Sequence, residues 1–68
     1  MDRKLKNRIE SIAWDCTVGA GKDPDEVDAP TQEDVAYLEI ELGREPTPEE
    51  MKFFNASWQD GMRSAAQR

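Results

Sequence analysis

Leu5, Ile9, Ile12 and Cys16 are spaced four, three and four residues apart, with Ala13 beside them. At about 100° per residue these positions share one stripe, which predicts a helix over about residues 3–17. Gly19 and Gly21 are expected to stop it. Met51, Phe54, Trp58, Met62 and Ala65 recur at steps of three and four and predict a second, longer helix over about 48–65. Between the two stripes, residues 19–30 read GAGKDPDEVDAP, a polar connection with two glycines and two prolines. Within it, Asp23-Pro24-Asp25-Glu26 has the order of a cap, a first-turn proline and first-turn acids, enough for one helical turn.

The remaining segment is bounded by capping signals rather than by a stripe. Thr31 is placed as an N-cap, with Asp34 three residues later where Glu or Gln is usual. Gly43 sits where a helix C-terminus calls for positive φ, so a helix is expected over about 32–42. Thr47, Pro48, Glu49 and Glu50 then open the long helix with a cap, a first-position proline and first-turn acids. No alternating pattern predicts a strand. The reading is an all-α fold: a single small three-helix domain over residues 1–68, with a polar loop at 19–30.

Glu41 to Glu50 reads ELGREPTPEE, which resembles a segment common in the sigma-70 family of transcription initiation factors, where it joins helices of the central region. The resemblance covers those ten residues and implies a third helix that approaches DNA. Charge opposes that implication. A reading helix presents its N-terminal residues to the bases, and affinity comes from Lys and Arg on phosphates. Here the turn offers Glu49 and Glu50, preceded by Glu45 and Glu41. Gly43 ends one helix, Pro46 cannot continue it, and Thr47-Pro48 starts the next. The corner reads as a hinge, and direct nucleic-acid binding is not expected.

Composition narrows the function further. At 68 residues the chain supports one domain, which buries only roughly 60% of the surface its unfolded chain exposes. Such a fold gains from a staple, a metal or a partner. One cysteine and no histidine exclude a disulfide within the chain and a closed zinc site. A lone thiol and a charged, periodic N-terminus without a long apolar run lead to the expectation of a cytoplasmic protein with no membrane span. The net charge of −6 conceals a division. Residues 1–9 carry Arg3, Lys4, Lys6 and Arg8 against Asp2. Residues 10–50 carry thirteen acids against Lys22 and Arg44. The ends are mildly basic and the middle strongly acidic.

Catalytic chemistry finds little support. There is no histidine, and Cys16 lies on the apolar stripe, where a thiol behaves as a small hydrophobe. Gly19-Ala20-Gly21-Lys22 lacks the earlier glycine and the following Ser or Thr of a phosphate loop; Asp23 follows instead. A calcium loop beginning at Asp23 would need an oxygen ligand at 27 and glycine at 28, where Val27 and Asp28 stand. Asn55-Ala56-Ser57, formally a glycosylation acceptor, falls inside the third helix. No enzyme activity, cofactor or metal is expected.

The residues left over by the stripes are more informative. Val35, Leu38 and Leu42 share one side of the middle helix, while Ala36, Tyr37 and Ile40 gather opposite, with Glu39 and Glu41 between them. Trp14 points away from the first stripe and Phe53 away from the second. Either the middle helix is central in the domain, or its second side meets a partner. Aromatic and aliphatic anchors ringed by charge are the usual centre of an interface. The expectation is a non-enzymatic, acidic helical protein that binds and regulates or inhibits a larger protein, resembling in style the small accessory proteins of phages and mobile elements. Its expected partner-binding residues are Trp14, Tyr37, Ile40, Phe53, Glu39 and Glu41, with the acidic centre steering a basic target. Three alternatives stand beside it. The carboxylates from Glu33 to Glu50 could mimic nucleic acid in a basic groove, the basic N-terminal helix could bind nucleic acid through Arg3, Lys4, Lys6 and Arg8, or the leftover apolar groups could cover one another in a homodimer.

Overall fold

The computed structural model describes residues 1–67, which form three helices joined by a long and a short connection. Helix α1 spans Arg3–Trp14 and opens at Asp2, whose carboxylate accepts a hydrogen bond from the Leu5 amide at 2.7 Å. Where the periodicity predicted a regular helix to residue 17, the chain instead widens into a π-helical turn over Asp15–Gly19. Gly19 stays within that turn, and Gly21, at φ 66°, makes the exit. Thr17 lies at its centre. Its hydroxyl donates to the Ala13 carbonyl at 2.9 Å, a side-chain bond that competes with the regular amide ladder. The Lys22 amide returns to the Thr17 carbonyl at 3.2 Å and closes the turn. Gly61 of the third helix lies directly against Thr17, where any added Cβ would overlap the hydroxyl and come within 3.1 Å of the Thr17 Cβ. Glycine is what lets the two segments touch.

Asp23 accepts from the Asp25 amide at 2.9 Å, and its carbonyl accepts from Glu26 and Val27, giving the expected single turn. Helix α2 spans Gln32–Leu42 and α3 spans Pro48–Ala66. Both begin with a complete capping box. In α2, Asp34 N donates to Thr31 Oγ1 at 3.3 Å and Thr31 N to Asp34 Oδ2 at 3.2 Å. In α3, Glu50 N donates to Thr47 Oγ1 at 3.1 Å and Thr47 N to Glu50 Oε1 at 2.8 Å. Gly43 closes α2 in the left-handed conformation, φ 72°, as its position predicted.

The core is built mainly between α1 and α3. Ile9, Ile12, Ala13 and Cys16 pack against Phe54, Trp58 and Met62, and Leu38 is the single fully buried apolar residue that α2 contributes. Leu5, Val27, Leu42, Met51 and Phe53 close the edges. The described residues measure 31 × 23 × 17 Å. Along α2 only Asp34 and Leu38 are buried, whereas Glu33, Ala36, Tyr37, Glu39 and Ile40 are exposed, so no element covers its outside. That settles the position of the middle helix: it lies at the side of an α1–α3 pair, buried along one edge only. Among the described residues no helix is long and apolar enough to cross a membrane.

Candidate functional site

Asp34 is buried, 5% exposed, and is the polar centre of the molecule. Lys22 Nζ lies 2.9 Å from its Oδ1, and the Trp58 indole Nε1 donates to Oδ2 at 3.0 Å. One carboxylate therefore caps α2, anchors the 19–30 loop and satisfies the only polar atom of the largest fully buried side chain, Trp58. Burial pushes the Asp34 carboxyl up, but the hydrogen bonds from Lys22 and Thr31, the Lys22 charge and the indole donor outweigh it. The result lies below the usual Asp value. Cys16, beside this cluster, is pushed up to about 11 by burial first and by the Asp34 charge second. It is a protonated core thiol, as its place on the apolar stripe implied.

At the hinge, Arg44 grips Glu50 with both guanidinium nitrogens, each 2.7 Å from a carboxylate oxygen. The Arg44 hydrogen bonds, then the Thr47 amide, hold the Glu50 carboxyl down at about 2. From sequence, Glu50 belonged to an acidic row that would repel DNA. In the fold it faces inward and its charge is matched. Asp34 and Glu50 are thus both withdrawn from the run of carboxylates between Glu33 and Glu50.

The anchors expected from sequence fall on separate surfaces. Tyr37 and Ile40 stand together on the outward side of α2, 41% and 77% exposed. Trp14, 37% exposed, is the last residue of α1 and belongs to a different element. Phe53 is not a free group. It is half-buried, packs against the edge of the core and lines a hollow with Lys6, Glu49 and Lys52. Glu39 is exposed on α2. Glu41 is half-buried beside Arg8, which donates to the Glu41 carbonyl at 2.6 Å and places its guanidinium 3.8 Å from the carboxylate. The Tyr37 phenol is pushed up chiefly by the Glu41 charge, with Asp15 adding to it, which marks a negative potential around the ring.

Sequence reasoning missed what surrounds Tyr37. A hollow of about 330 Å³ opens beside it between α2 and the π-helical turn, lined by Asp15, Cys16, Ala20, Lys22, Glu33 and Asp34 as well as the ring. One signal did point there: Lys22 is the only basic residue between Arg8 and Arg44, so any buried acid in that interval had one cation within reach. Among the described residues no cluster of three or more His, Cys, Asp or Glu is arranged to hold a metal ion. In comparisons with protein-family models, with curated proteins and with solved structures, the chain matches none.

Proposed function

We propose that this chain is a non-enzymatic protein-interaction module that binds a larger protein and regulates or inhibits it, in the manner of small accessory proteins of phages and mobile elements. One observation carries the reading: Ile40 is 77% exposed beside Tyr37, on a helix that buries only its opposite edge. Single exposed apolar residues are ordinary, but a neighbouring aliphatic and aromatic pair on a rigid, doubly capped helix is the composition of an interface centre. Nucleic-acid mimicry is less well supported. Asp34 and Glu50 already neutralise Lys22 and Arg44 and are turned away from solvent.

The test places a photo-reactive amino acid at position 40 and, as a control, at Asp60 on α3, in cells of the source organism. A discrete cross-linked protein from position 40, absent from position 60 and lost with Tyr37→Ser, is the expected result. Cross-links at both positions alike, or at neither, would sink the reading.

A further inference from the structure

We infer that the outward face of α2 receives a basic amphipathic helix of the partner protein, with its apolar residues seated on Tyr37 and Ile40 and its lysines or arginines on Glu33 and Glu39. The inference rests on the protein-binding reading above and adds the chemistry of the contacting segment.

Glu33, Ala36, Tyr37 and Ile40 occupy positions i, i+3, i+4 and i+7, and all four are exposed. They form one continuous stripe along two turns, the spacing at which one helix meets another. No strand exists among the described residues, so an extended peptide finds no sheet edge to extend. A helix, which satisfies its own backbone, is the element that fits. The hollow beside Tyr37 is bordered by Asp15 and Glu33 and by the Lys22–Asp34 pair, whose charges offset each other, and gives a long side chain of the partner a place to end.

Charge selects among occupants. Helix α2 carries four acids and no Lys or Arg. Asp34 is matched by Lys22 and Glu41 stands near Arg8, whereas Glu33 and Glu39 have no ion pair among the described residues. A second copy pairing through this face about a twofold axis would set the same glutamates against one another. Nucleic acid and an anionic lipid surface are repelled for the same reason. A cationic helix meets both requirements together, apolar contact along the stripe and neutralisation at its rim. Helix α2 is eleven residues long, about 16 Å of axis. A face of that length offers a contact at the low end of specific interfaces.

The experiment titrates the isotopically labelled full chain with three synthetic peptides and follows amide shifts by NMR. The first is a leucine–lysine amphipathic helix. The second has glutamate for lysine, and the third has serine for leucine. The expected result is shifts from the first peptide centred on residues 33–40, with the exposed side of α3 unmoved. Ile40→Ser should weaken binding about tenfold or more. Raising ionic strength from about 0.01 to about 0.15 M shortens the Debye length from about 30 to about 8 Å and should weaken binding several-fold. Because Ile40 is exposed, an unchanged melting temperature is expected to show that the variant still folds. Equal binding of the glutamate peptide, equal binding of the serine peptide, or shifts away from α2 would each overturn the inference. Cross-linking from position 40 separates the two proposals: a captured segment lacking Lys and Arg overturns this one and leaves the protein-binding reading standing, whereas no capture removes the reading itself.

Discussion

The two capping boxes share one design and differ in reach. Thr31/Asp34 and Thr47/Glu50 each pair a threonine hydroxyl with the amide three residues on, and each returns a carboxylate to the cap amide. Glu50 spends its remaining capacity locally, on Arg44 six residues upstream. Asp34 spends it across the fold, on Lys22 twelve residues before it and on Trp58 twenty-four residues after it. The Glu50 box fixes the angle of a corner. The Asp34 box holds the 19–30 loop, α2 and α3 in register. Identical local chemistry thus serves a local or a global purpose according to what else reaches the capping carboxylate.

That contrast can be broken by substitution. Asp34→Ala should have the largest effect, because it leaves Lys22 without its counter-charge and the indole N–H buried without an acceptor. Breaking such a buried pair costs about 3 kcal/mol, or roughly 12–24 °C in melting temperature for a domain of this size, read by circular dichroism. Trp58→Phe removes the donor together with part of the ring volume of a fully buried side chain. The hydrogen-bond share of its loss, about 1–2 kcal/mol by urea titration, should vanish in the Asp34→Ala background, where only the cavity share remains. If the two losses simply add, the long-range role of Asp34 is wrong.

The hinge box offers the smaller and more pH-dependent change. Glu50 is held at about 2 against an ordinary 4.5, and Asp34 is lowered as well. A depressed carboxyl contributes stability that is complete above its unfolded value and is lost as pH falls through its folded value. Stability should therefore decline between about pH 4.5 and about 2. Glu50→Gln should flatten that decline by removing one titrating group, while lowering stability at neutral pH by less than Asp34→Ala does. Arg44→Lys comes last. It keeps the charge and loses the two-pronged grip, so its melting temperature should fall slightly and its acid limb should move toward higher pH. An acid limb identical in all of these variants would mean that neither box governs acid stability.

Much of this fold was legible because its signals are local. Thr31, Gly43, Thr47 and Pro48 each act on neighbours within four residues, and the helices they bound appeared at 32–42 and 48–66 against expectations of 32–42 and 48–65. The two stripes located nearly all of the core. What escaped depends on contacts between distant residues. The π-helical turn brings Thr17 against Gly61 of α3, and a glycine inside a helical pattern gives no hint of what it approaches. Glu50 was read as a surface charge because its sign was visible and its partner was not. Phe53 shows a limit of stripe reasoning: one position away from the centre of the apolar face, about 100° of rotation still leaves a large ring touching the edge of the core. Tyr37 and Ile40 stay exposed, since no stripe absorbs them and α2 buries only its opposite edge.

Cys16 turns the same architecture into a clock. It is the lone thiol, 8% exposed, at the joint between α1 and the widened turn, with its ionisation pushed up to about 11. A thiol reagent at neutral pH meets almost no thiolate and almost no surface until the joint opens. The rate of modification in native buffer therefore tracks how much of the protein has that joint open, without denaturant or heat. A ligand that closes over α2 and the neighbouring hollow should slow the clock, so occupancy can be timed before the occupant has been named.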